Sequence, residues 1–376
     1  MVLDKNFVDG FIQDKNILYV PIISSINRET GLYNLDSDGN VVRFITFFTH
    51  HNTFRNITII LPKGVESHTL INRFSNSSDK IHIICIDNKT YFGEHAGDQR
   101  SDEGITERMA NYIMYLLGHG QTDTIIFESQ GLGNELIYRY YDKLQPKVVD
   151  FIYWCPVCKI DENHTRNFLE GYEDLNEYLF GKSDFSIVES PKQVEKYSKN
   201  YAIYPYYQMI DRDIKIFDYS PNVMLKNNIE NNLLSSSTVF YLPYRLTDGG
   251  YKVDKVISYI NKISDDLHKE RRSTVVFYTD PNNSGYMNKI KSKFNEDIVL
   301  LQIDTSRNTH FTMLSCPDVI VPYFEDLDFI NHALLWEMMD DKGSKCNFCV
   351  TSEQWKANPY NLNSCSRCFY IDINKL

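Results

Sequence analysis

The residues best suited to chemistry fall into three groups. The first follows Arg245, inside the stretch Val239–Ile260 (VFYLPYRLTDGGYKVDKVISYI). A guanidinium can take two phosphate oxygens at once, and a helix N-terminus offers unpaired N–H groups and partial positive charge. Arg245, Thr247, Gly249, Gly250 and Lys252 stand between an apolar β-branched run and a helical pattern, the setting that a diphosphate site needs. An ordinary strand-to-helix connection with a solvated arginine would read the same way. Glu337, inside Asp328–Met339 (DFINHALLWEMM), is a carboxylate able to hold two ribose hydroxyls, or a solvated helix residue.

The second group is hydrolase-like. Ser129 follows the apolar run Thr124–Glu128, and Asp280 and His310 follow later apolar runs, in the order Ser, Asp, His of a serine hydrolase. Phe127 stands where the sharp nucleophile turn wants glycine. The third group is Cys346-x2-Cys349 and, fifteen residues on, Cys365-x2-Cys368. This spacing suits a tetrahedral four-thiolate zinc site, structural because no coordination position stays open. Reduced, unliganded thiols are the alternative. Cys155 and Cys158 make a further pair that could join either of these.

These groups need elements to hold them. Short apolar runs at Ile17–Pro21, Ile57–Pro62, Ile81–Asp87, Thr124–Glu128, Val148–Trp154 and Phe185–Ser190 read as buried strands. Helical spacing over Glu107–Leu117, Asn134–Leu144 and Tyr172–Phe180 alternates with them, while Val41–Phe48 suits helix or strand equally. After the polar stretch Asn222–Ser237, read as a linker, the rhythm resumes. Strands are expected at Val239–Leu242, Thr274–Tyr278, Ile298–Ile303 and Val319–Pro322, and helices at Tyr251–Ile263, Tyr286–Phe294 and Phe329–Met339. Val253, Val256, Ile257 and Ile260 mark one face of the first of these helices. Such alternation predicts an α/β fold of two Rossmann-like, doubly wound domains facing a central cleft, over residues 1–222 and 238–345. A zinc-ribbon-like tail with four cysteines is expected over 346–376.

Bulk composition narrows the function. The 376 residues are 42% hydrophobic and 24% charged, as in an ordinary globular protein. A net charge of −11 argues against broad duplex binding, which relies on Lys and Arg to neutralise phosphates. No apolar run reaches transmembrane length, and MVLDKNFVDGFIQDKN carries too many charges for a signal peptide, so a cytoplasmic setting without a membrane partner is expected. The richness in Asn, Ile, Lys, Asp and Tyr suits AT-biased coding, as in large viruses and phages; the expected setting is an infected host cell.

IKIFDYSPNV, then VFYLPYRLTDGGYKVDKVISYI, and later DFINHALLWEMM resemble, in this order, the second half of a GT-B glycosyltransferase of the T-even phage DNA glucosyltransferase kind. TDTIIFES, VDFIYWCPV and KSDFSIVESPKQVEKYS are similar to the acceptor-side strands of such enzymes, so that the resemblance runs between residues 120 and 340. It implies sugar transfer, with glucose from UDP-glucose as the expected donor and a hydroxymethylated pyrimidine in viral DNA, flipped from its stack, as the expected acceptor. A glycan or protein acceptor is the alternative, and a non-catalytic zinc-containing binding protein a further one. On this resemblance Arg245 contacts the donor diphosphate and Glu337 its ribose. The chain departs from the pattern at Phe329 and Gly250, where such enzymes carry a second Glu and a Lys. Cys155-Pro156 stands in place of the inverting enzyme's Asp base, which leaves Asp161 and His164 as the candidate base.

Overall fold

The computed structural model describes residues 1–21, 35–64, 69–87, 103–119, 122–128, 137, 140–145, 150–155, 175–209, 222–243, 254–270, 272–279, 286–304, 307–321, 346–356 and 368–375. The chain divides into two compact units, Met1–Ile216 and Phe217–Leu376.

The first unit is built on a seven-stranded sheet. Its strands are β1 (Asn16–Val20), β2 (Asn56–Pro62), β3 (Ile81–Ile86), β4 (Thr124–Glu128), β5 (Asp150–Cys155), β6 (Phe185–Val188) and β7 (Ile203–Pro205). They lie in the order β3-β2-β1-β4-β5-β6-β7, every neighbouring pair parallel. Strands such as β4 are buried at every residue, which is why they read as continuous apolar runs without alternation. The chain order runs outward on both sides of β1, which puts the switch point of the topology between β1 and β4.

The ambiguous run Val41–Phe48 lies in a helix, Leu35–His50. Phe44, Phe47, Phe48 and His51 are buried, and their spacing is that of one helical face rather than of a strand. That face packs on the sheet: Phe44 meets Tyr19 at 5.5 Å between ring centroids, and Phe47 meets Trp154 at 5.3 Å. His51 is fully buried at the end of this packing. Its Nδ1 lies 2.7 Å from the Asp9 carboxylate and its Nε2 2.9 Å from the Tyr204 hydroxyl. A carboxylate only accepts, so Nδ1 carries the proton and the tyrosine donates to Nε2.

The second unit carries a six-stranded sheet. Its strands are β8 (Ser237–Tyr241), β9 (Ser273–Thr279), β10 (Ile298–Ile303), β11 (Val319–Ile320), β12 (Cys346–Val350) and β13 (Cys368–Asp372), in the order β10-β9-β8-β11-β12-β13 and all parallel. Phe240 and Leu242 pack on one face with Val256, Ile257 and Ile260 of the helix Asp254–Lys269. Val239 and Tyr241 pack on the other with Met313 and Leu314 of the helix Arg307–Ser315. Within the polar stretch Asn222–Ser237, read as a linker, residues 223–233 are helical: Asn222 caps Val223–Asn228 through the amide of Leu225, and a π-helical turn, Ile229–Leu233, follows. Among the described residues no helix is long and apolar enough to cross a membrane.

Burial drives the pKa of His51 from 6.5 down to about 3, against the pull of Asp9. The folded state therefore stays neutral at a pH where the unfolded chain has taken up a proton. Stability linked to His51 is intact above pH 6.5 and is lost as pH falls toward 3, on the order of 4 kcal/mol over that interval. Urea midpoints measured between pH 7 and pH 4 should fall more steeply in the wild type than in His51→Gln.

Candidate functional site

In a parallel sheet the carboxyl ends of the strands, nearest the switch point, are where ligands bind. In the first unit this edge carries charge. Tyr19 lies one residue from the end of β1, Glu128 ends β4, Trp154 lies next to last in β5, Glu189 follows β6 and Tyr206 follows β7. Arg43 reaches the same edge from the helix Leu35–His50, and its Nε lies 2.8 Å from Oε1 of Glu189. The Tyr19 hydroxyl donates to Glu128 Oε1.

Local sequence explains how two of these groups are placed. β4 and β5 pair in register, Glu128 opposite Trp154, so the last residue of β4 meets an aromatic wall. After Glu189, Ser190 accepts from the amide of Gln193 and caps the helix Pro191–Tyr197, whose first residue is proline. The chain therefore turns directly behind Glu189.

Among the described residues, the Arg43 guanidinium lies in the fields of two carboxylates, Glu128 and Glu189. Glu128 and Glu189 are buried, and the Arg43 side chain keeps 14% of its surface exposed. Burial lifts the Glu189 pKa to about 7; Arg43 pulls it down and Glu128 pushes it further up. Burial opposes the charge on Arg43, but the fields of Glu189 and Glu128 overcome it and hold the guanidinium pKa above its ordinary value. Tyr206 is held neutral by burial and by the charge of Glu189. Charged groups held out of water at the carboxyl edge of a parallel sheet are characteristic of functional sites.

In the second unit β8 is the switch strand, lying between β9 and β11. Near its carboxyl end the Tyr241 hydroxyl is hydrogen-bonded to Nδ1 of His310, and Thr309 donates to the Asp304 carboxylate at 2.8 Å. Arg245, Thr247, Gly249, Gly250 and Lys252 belong to the connection from β8 to the helix Asp254–Lys269; these residues, with Asp161, His164, Glu337 and Cys365, lie outside the described residues. The strand and helix expected on either side of the arginine are both present.

Two expectations meet difficulties. The hydrolase reading needs Ser129, Asp280 and His310 around one sheet, but Ser129 belongs to the first unit and the other two to the second. Ser129 and Asp280 lie outside the described residues, and His310 is engaged with Tyr241. The four-thiolate zinc site is not supported either. Cys346–Val350 is a strand of the second sheet, paired with Cys368–Asp372, rather than a separate ribbon-like tail. Position 368 is the register partner of 346 in β13. Cys349 is buried in the core and hydrogen-bonded to Tyr259, and burial pushes its thiol up to about 12. Among the described residues no group of three or more His, Cys, Asp or Glu could hold a metal ion.

The structure of Arabidopsis thaliana UGT89C1 superposes with a TM-score of 0.51 at 10% identity, covering 96% of this chain and 85% of that one. The same protein complexed with UDP-L-rhamnose gives 0.50 at 9% identity, covering 96% and 85%. Complexed with quercetin it gives 0.50 at 11%, covering 90% and 79%. The α/β fold matches that of GT-B glycosyltransferases. The likeness is one of fold. No protein-family model matches the sequence, and no curated protein matches it.

Sequence reading passed over the ionic cluster. Glu128 had one local signal, a charged residue closing a wholly apolar strand. Arg43 and Glu189 had none, because only the folded sheet brings the helix after β1 to the end of β6. Breaking a buried ion pair from one side leaves an uncompensated charge. Arg43→Met should cost about 3–5 kcal/mol at pH 8, where Glu189 is ionised. Combined with Glu189→Gln it should cost less than the two single changes summed, by about 1 kcal/mol or more in a urea double-mutant cycle.

Proposed function

We propose that the protein transfers a sugar from a nucleotide-diphosphate donor, a UDP-sugar, onto an acceptor hydroxyl. The observation that carries this reading is the charged carboxyl edge of the first sheet, a buried acid–base cluster at the switch point of a fold shared with glycosyltransferases. Glu128 takes the proton of the acceptor hydroxyl. The freed oxygen bonds to the anomeric carbon of the sugar, and the bond from that carbon to the diphosphate breaks, so that UDP leaves with the electron pair.

We assign the donor to the second unit. Arg245, Thr247, Gly249, Gly250 and Lys252, leading from the switch strand into a sixteen-residue helix, Asp254–Lys269, would receive the charge that builds on the departing diphosphate. Glu337 would hold the ribose. Asp161 and His164, in the connection after β5, are further candidates for the proton transfer. Glucose as the sugar, and a hydroxymethylated pyrimidine of DNA as the acceptor, rest on sequence resemblance alone; a glycan or protein acceptor needs the same chemistry.

Nucleotide-sugars screened against modified DNA, unmodified DNA and glycan acceptors, with free UDP as readout, test the reading. UDP alone should raise the melting temperature, because saturation at a hundredfold excess over Kd contributes about 2.7 kcal/mol. Arg245→Ala should abolish that rise. A wild-type protein that neither binds UDP nor releases it from any donor would overturn the proposal.

A further inference from the structure

The second sheet ends in β10, and among the described residues no strand pairs with its outer side. A sheet edge leaves a row of main-chain N–H and C=O groups open to pairing, and proteins guard it with charge, proline, a bulge or a covering segment. In the first unit the edge strand β7 is covered. Val2 bridges Ile203, the Leu3 amide donates to the Ile203 carbonyl at 2.8 Å, and the Ile203 amide donates to the Met1 carbonyl at 2.9 Å. β10 has no such cover among the described residues. Its sequence, IVLLQI, holds no charge and no proline, and its register with β9 runs unbroken from Ile298 to Ile303. Side chains alternate along a strand, so Val299, Leu301 and Ile303 share one face, and Ile298, Leu300 and Gln302 the other. Leu301 and Ile303 are only partly buried against the core that holds Tyr241 and Met313, and Val299 is 46% exposed.

We propose that β10 is the contact surface between two copies of this chain, joined edge to edge in antiparallel pairing about a two-fold axis at Leu301. A two-fold axis perpendicular to a sheet reverses the strand direction and keeps each face on its own side, so the same patch serves both copies. With the axis at Leu301, that residue lies opposite itself, and Val299 of each copy lies opposite Ile303 of the other. Leu300 then meets Gln302 on the second face. The row is the same in either direction, a β-branched residue, a leucine and a β-branched residue, which is what self-pairing requires. Residues directly opposite in an antiparallel pair have Cβ atoms about 4.5–5.5 Å apart, so three apolar pairs cover one another. The open main-chain groups of both edges pair in the same step, and the six strands of each copy become one continuous sheet. Each copy spends its single β10 edge, so this assembly closes at two.

Sedimentation of the full chain at protein concentrations up to about 100 µM tests this, and a dimer that dissociates on dilution is expected. Val299→Lys sets an ammonium opposite an apolar residue and should weaken the dimer about tenfold or more, with the circular dichroism spectrum unchanged because the position is exposed. Met224→Lys, at a position 85% exposed on the helix Val223–Asn228, should leave the dimer intact. Mild oxidation reads the register, measured against the wild type with its eight native cysteines. Leu301→Cys should add a covalent dimer, since that residue faces itself across the axis. Val299→Cys alone should not, because its two copies stand four residues apart along the strands, about 13 Å. Val299→Cys combined with Ile303→Cys should restore the link. A chain that is monomeric at every concentration overturns the proposal. So does a dimer that Val299→Lys leaves undiminished, or one in which Leu301→Cys stays unlinked.

Discussion

Strands that run parallel and are covered on both faces have only their ends left for chemistry. In the first unit the interior of the sheet is filled by such residues as Tyr153, Trp154, Phe127 and Ile187, all fully buried. A polar group placed there would lose water on every side. The charged residues accordingly gather where the strands stop, and the topology fixes which ends meet. β1 lies between β2 and β4, so the helix that leaves β1 carries Arg43 over strands that come much later in the chain.

Two buried polar clusters within that unit show how differently the same physics can be used. Around His51 donors and acceptors balance: a carboxylate accepts on one side, a tyrosine donates on the other, and burial keeps the imidazole neutral. Such a cluster serves the fold, and its ring changes charge only well below neutrality. Around Glu189 the Arg43 guanidinium lies 2.8 Å away, and burial lifts the carboxyl pKa to about 7. Groups poised in this way accumulate at functional sites because proton transfer needs them there.

The carboxyl terminus shows a local pattern taken up into a larger sheet. Two Cys-x-x-Cys pairs at ribbon spacing also fit strand sequences, and NFCV and FYID supply the aromatic and β-branched residues that a sheet accepts. β12 and β13 extend the second sheet beyond β11, and Cys349 lies in the core against Tyr259.

The sequence by itself determined the alternation of strands and helices. The apolar runs at Thr124–Glu128 and Ile298–Ile303 are strands with those bounds, and the pattern Val256, Ile257, Ile260 lies on the buried face of a helix. These features are local, since a buried run or a helical stripe needs only its own residues to declare itself. The helix over Phe44, Phe47, Phe48 and His51 was equally present in the spacing, but apolar density at Val41–Phe48 hid its period until burial revealed one face. The tertiary structure alone decided that Arg43 meets Glu189 within the field of Glu128, that Tyr241 and His310 pair, and that positions 346 and 368 stand side by side. Each of these depends on strand order and register, which are set by packing between residues distant in the chain and leave no periodic trace in it.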